Sequence, residues 1–178
     1  MSEELKQHIL KNGLNLGGIL VIITLLTYFG GAELVTNYLV SIGSLLLMII
    51  FPIYYTRQFR AQNGGYISFR EAFSSCTGIL IAAGFLNTFI SILLFNIIDP
   101  GFALEMLDVI IEKTVTQLES VGMDEAQIEQ TIKTIEEGSD FGAVNMFKGY
   151  IFGIIFYTIF GLIVAAITKN DRPEFIED

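Results

Sequence analysis

The chain has no tryptophan, one cysteine and one histidine among its 178 residues. A lone Cys76 excludes an internal disulfide and any multi-cysteine metal site. A lone His8, set in a charged N-terminal stretch, excludes a histidine-rich metal centre or a histidine-based triad. Without tryptophan, tyrosine must supply any aromatic belt at a membrane surface. Charge is absent where it would matter most for transport. No Asp, Glu, Lys, Arg or His falls inside four long apolar runs, so the groups that proton relays, ion-coupled pumps and voltage sensors use are missing.

Those runs dominate what is present. There are 21 residues between Lys11 and Glu33, 23 between Glu33 and Arg57, 27 between Glu71 and Asp99, and 20 between Lys148 and Lys169. Each meets the ~20 residues that a helix needs to cross a ~30 Å hydrocarbon core. A hydrophobic fraction of 52% and fifteen Phe agree. The prediction is all-α: one domain, an integral membrane bundle of four transmembrane helices at about 13–32, 34–56, 72–98 and 148–168. An extracytoplasmic amphipathic helical hairpin, 99–145, separates the third and fourth spans. Met1–Asn12 reads as a short amphiphilic lead-in with Leu5, Ile9 and Leu10 on one face. It has no small-residue cleavage site and is not a signal peptide. The tail Lys169–Asp178 reads as a mobile end.

Four spans place both termini and the second loop on one side. That side holds Lys6, Lys11, Arg57, Arg60, Arg70, Lys169 and Arg172 against Lys113, Lys133 and Lys148 on the other, which puts both termini in the cytoplasm. Tyr28, Tyr38, Tyr54, Tyr55, Tyr66 and Tyr150 fall near span ends, whereas Tyr157 sits mid-span. Pro52 is expected to kink the second span.

The segment from Asp99 to Asp140 carries eleven carboxylates against Lys113 and Lys133, a net −9 that equals the net charge of the whole chain. Such a block is solvated and stays off anionic headgroups. Leu104, Leu107, Ile111, Thr114, Leu118 and Val121 recur at helical spacing, with Glu105, Asp108, Glu112 and Glu119 as a second stripe beside them. Gly122 ends that helix, Asp124 with Gln127 caps the next, and Gly138 ends it. The reading is a hairpin, Pro100–Val121 and Asp124–Glu137. The acidic stripe is a solvated face or a surface for a cationic partner. No calcium-loop spacing is present, and no metal or cofactor is expected.

After the second run comes NGGYISFREAF, Asn63–Phe73. Gly64 and Gly65 suit a tight turn with positive φ, and Ser68 with Glu71 forms a capping box that starts the third helix. Arg57, Arg60 and Arg70 are candidates for anionic lipid heads. Within the spans, Asn87, Ser91 and Tyr157 form a candidate polar cluster. Gly149, Gly153, Gly161 and Ala165 in the fourth span, with Gly13 and Gly17 in the first, form small-residue stripes for close helix packing.

The NGGYISFREAF turn (Asn63, Gly64, Gly65, Ser68, Phe69, Ala72, Phe73), Asp99-Pro100 at the start of the acidic insertion, and the hairpin turn Gly122–Glu129 together resemble the bacterial membrane-protein family called domain of unknown function 4199. The resemblance covers nearly the whole chain. It implies a four-helix protein of the bacterial inner membrane and no assigned activity.

Two functions follow as expectations. The first is a non-enzymatic accessory protein of the inner membrane. Its acidic periplasmic hairpin docks on a membrane or periplasmic protein partner, or on its own spans. The alternative is a small oligomeric transporter or channel, built as a homo-oligomer, with the hairpin concentrating cations at an outer vestibule. The lipid bilayer is the partner common to both, and an acidic chain is not expected to bind nucleic acid.

Overall fold

The computed structural model describes residues 1–35, 37–138 and 141–171. Asp140 of the acidic block, and Arg172 and Pro173 of the tail, lie outside them. Seven α-helices follow in order among the described residues: α1 Glu3–Gly30, α2 Ala32–Val35, α3 Tyr38–Gln62, α4 Phe69–Leu93, α5 Pro100–Ser120, α6 Glu125–Gly138 and α7 Ala143–Thr168. A π-helical turn, Leu94–Ile98, extends α4. Four of these segments, Glu3–Gly30, Tyr38–Gln62, Phe69–Ile98 and Ala143–Thr168, are long and apolar enough to cross a membrane.

The bundle is organised around α4, which packs along α1 on one side and α7 on the other, with α3 set mainly against α4. Small residues allow this. A Cβ added to Gly13 would stand 2.5 Å from the Ala82 Cβ, and one on Gly17 would stand 3.1 Å from the Ala83 Cα. On the α7 side, a Cβ on Gly161 would collide with the Thr77 hydroxyl, while Ala165 is fully buried. Lipid tails are as apolar as leucine, so close van der Waals packing of this kind replaces the hydrophobic drive between helices in a bilayer. The central cluster of Leu16, Leu20, Cys76, Ile79, Leu80, Ala83 and Val164 fills the α1/α4/α7 seam. Cys76 is a wholly buried packing residue within it.

The N-terminal segment differs from its sequence reading as a short lead-in. It is continuous with α1 from Glu3, and Ser2 caps it by accepting a hydrogen bond from the Leu5 amide. Leu5 is buried with Phe59, Ile67, Ala72 and Ala165, whereas Leu10 faces outward. The charges of this segment hid a continuing helical face. The short first loop also differs, since its residues 32–35 form the single turn α2.

Chain entry into α4 follows the sequence closely. Gly64 and Gly65 have φ of 69° and 88°. The Ser68 side chain accepts from the Glu71 amide, and the Glu71 carboxylate accepts from the Ser68 amide at 3.0 Å. Beside this turn the start of the tail is held fast, contrary to the mobile reading. Ile67 and Asn170 exchange two backbone hydrogen bonds of 2.9 Å. Arg60 donates to the Gly65 and Thr168 carbonyls, at 3.0 and 3.2 Å. That guanidinium clasps the end of α7 to the turn, which is a structural use of a residue the sequence nominated for lipid heads.

Candidate functional site at the root of the hairpin

The hairpin grows out of the π-helical turn. A π turn accommodates an extra residue and recurs at functional positions. Here it ends on Asp99, whose side chain accepts from the Phe102 amide at 3.2 Å and so caps α5, with Pro100 in its first turn. The Tyr28 hydroxyl donates to the same carboxylate at 3.0 Å. The Tyr28 ring lies edge-on to Phe102, centroids 4.8 Å apart, and Phe102 stacks on Phe95 at 5.9 Å.

Below this, Asn96 latches the return of the chain. Its amide nitrogen donates to the Phe141 carbonyl at 3.1 Å and its oxygen accepts from the Ala143 amide at 2.8 Å. One side chain thereby joins the end of α4 to the start of α7. Further out, Lys113 pairs with Glu33 at 2.8 Å, and Gln117 donates to the Tyr38 hydroxyl.

These contacts define three faces on α5. Phe102 and Met106 are buried with Ala32, Leu94 and Phe95, and Val109 packs at the edge of that cluster. This is the face that docks on the spans, and the sequence stripe did not include it. The predicted stripe lies on a different face of α5: Leu104 and Val121 are 66% and 74% exposed, and Leu107, Ile111, Thr114 and Leu118 are half-buried beside α6. Ile128 of α6 is buried there, with Ile132 and Ile135 half-buried. Glu105, Asp108, Glu112 and Glu119 form the third face and all four are exposed. The turn between the helices is as predicted: Gly122 has φ 77°, and Asp124 Oδ1 accepts from the Gln127 amide at 2.9 Å.

Of the intramembrane polar residues, Asn87 and Ser91 lie one turn apart on α4 and Tyr157 lies on α7. Asn87 accepts from the Thr24 hydroxyl of α1 at 3.0 Å. Tyr157 packs against the α4 backbone at Gly84, where an added Cβ would stand 3.1 Å from its hydroxyl oxygen. Ser91 is buried on α4. Among the described residues no hydrogen bond joins Asn87, Ser91 and Tyr157 to one another. Tyr150, which the sequence assigned to a belt, donates instead to the Ile81 carbonyl at 3.1 Å. Among the described residues no group of three or more His, Cys, Asp or Glu side chains is placed to hold a metal ion.

The sequence reading also missed a polar cavity at the opposite end of the bundle, between the start of α1 and the end of α3. Its signal was available in part. Gln7 and Lys11 lie at helical spacing on α1, as do Gln58 and Gln62 on α3, but nothing local pairs the two stripes.

Neither a curated protein nor a solved structure matches the chain. A family described as "Protein of unknown function (DUF4199)" matches it over residues 11–170, from Lys11 within α1 through the hairpin to the end of α7. The chain belongs to this DUF4199 family of proteins of unknown function.

Proposed function

We propose that this chain is a non-enzymatic protein of the bacterial inner membrane, with both termini in the cytoplasm, and that its periplasmic hairpin presents an acidic docking ridge to a basic protein partner. One observation carries this reading. The hairpin buries Phe102 and Met106 against the spans and Ile128 on α6, and Glu105, Asp108, Glu112 and Glu119 all stand exposed along one face of α5. A ridge of four carboxylates on a helix fixed to the membrane steers and orients a cationic surface more than it adds affinity. The orientation rests on the excess of Lys and Arg at the end of the bundle that holds the termini.

The transporter or channel alternative draws less support. The polar side chains between the spans serve pairwise helix contacts, such as Thr24 with Asn87 and Tyr150 with Ile81. The test is cross-linking in native membranes with mass-spectrometric identification. A basic partner should cross-link to residues 105–119. The complex should weaken with salt and with the combined change Glu105→Gln, Asp108→Asn, Glu112→Gln and Glu119→Gln. A complex unaffected by that combination refutes the proposal.

A further inference from the structure

At the end of the bundle away from the hairpin, α1 and α3 both run past their apolar stretches. Between them lies a cavity of about 400 Å3. Gln7, His8 and Lys11 line it from α1, and Gln58, Phe59 and Gln62 from α3. Its back wall is held by local contacts. The Asn12 amide donates to the His8 carbonyl at 2.8 Å, and the His8 ring lies on Phe59 with centroids 4.9 Å apart. Phe59 and Asn12 are both buried.

The front wall is different. Among the described residues, the carboxamides of Gln7, Gln58 and Gln62 and the ammonium of Lys11 make no hydrogen bond or ion pair. Three amides and one cation therefore converge on one space with their donors uncommitted. Glu4 also lines the cavity, two helical turns from Lys11, which is ~10 Å along the axis and leaves the Lys11 end positive.

Depth narrows the chemistry. The uncharged stretch of α1 begins just after Lys11 and that of α3 ends just before Arg57. The cavity thus sits within about a turn of the hydrocarbon boundary, at the level of phospholipid headgroups. A cation there favours a phosphate, and carboxamides serve hydroxyl groups as donor and acceptor together.

We infer that this cavity binds a phosphate carrying a small polyol, supplied as the headgroup of an anionic phospholipid. Lys11 takes the phosphate, Gln7, Gln58 and Gln62 take the hydroxyls, and Phe59 with His8 forms the floor. The inference needs only that the chain spans a membrane. It is independent of the partner proposed for the hairpin.

The test uses the full chain purified in mild detergent and titrated with phosphatidylglycerol or with phosphatidylcholine of the same acyl chains, with bound lipid counted by native mass spectrometry. Both lipids carry the phosphate, so the expected result is a preference for phosphatidylglycerol of about tenfold, the size of one hydrogen bond from a carboxamide to the glycerol hydroxyls that choline lacks. Gln62→Leu should abolish most of it, Lys11→Gln should weaken the binding of both lipids, and Lys169→Gln, at the same end but outside the cavity, should change neither. Gln62 and Lys11 are both exposed, so neither replacement disturbs the core of the bundle, and each provides a second reading should the other fail to fold. Displacement of the lipid by millimolar glycerol 3-phosphate would assign the same chemistry to a soluble ligand, and resistance to it assigns the lipid. Equal binding of the two lipids, full preference in Gln62→Leu, or unweakened binding of both lipids in Lys11→Gln overturns the inference.

Discussion

Tyr28, in the last turn of the first long helix, donates a hydrogen bond to Asp99, the residue that caps the first helix of the hairpin 71 positions later. One carboxylate thus does two things. It satisfies the Phe102 amide of α5 and it ties α5 to α1.

Separating those two roles gives the first prediction. Tyr28→Phe removes the tie and keeps the cap. Asp99→Ala removes both, and loss of the cap alone costs about 1 kcal/mol. Hydrogen–deuterium exchange over residues 100–107 should rise modestly in Tyr28→Phe and more in Asp99→Ala. Equal exchange in the two variants would mean that the tie carries nothing.

The docking face of α5 gives the second. Phe102 is 7% exposed between Phe95 and Tyr28, and Leu104 is 66% exposed. Phe102→Ala should cost about 3 kcal/mol, at the low end for a buried aromatic. It should also release α5 and α6 together to protease. Leu104→Ala should leave the melting temperature within about a degree of the parent, as surface truncations do.

The reason this face escaped the sequence is physical. Helix α5 has two apolar stripes, and periodicity reports that a stripe exists, not what it packs against. The longer stripe through Leu107, Ile111 and Leu118 pairs with α6, while the shorter one through Phe102 and Met106 runs out into Lys113. The four apolar runs, the Ser68/Glu71 box and the Gly122 turn were all legible, because each depends on neighbours within a few residues. The Ile67–Asn170 pairing, the Asn96 latch and the Gln-lined cavity join residues 45 or more apart, for which one sequence holds no signal.

Close packing gives the third prediction. The Thr77 hydroxyl is buried without a partner, against the space where a Gly161 Cβ would stand. Gly161→Ala should destabilise by about 1–3 kcal/mol, the usual cost of overpacking. Thr77→Ala should be close to neutral, and the double variant should recover most of the loss. A thermal-denaturation cycle in detergent reads the coupling. Additive effects would contradict the contact.

The clasp at the other end gives the fourth. Arg60→Ala frees the Gly65 and Thr168 carbonyls and should cost about 1–2 kcal/mol, allowing for partial exposure. Proteolysis should then reach the chain just after Thr168. Arg60→Lys should not rescue it, because an ammonium cannot span both carbonyls in the geometry of the fork.

The most direct single measurement is cysteine labelling of intact cells with a membrane-impermeant maleimide, in a Cys76→Ala background. Glu105→Cys and Met106→Cys are neighbours on α5, one on the exposed ridge and one 2% exposed against the spans. The expected result is rapid labelling at 105 without permeabilisation and protection at 106. Equal labelling at the two positions would contradict the docked hairpin, and labelling at 105 only after permeabilisation would place the acidic ridge on the other side of the membrane.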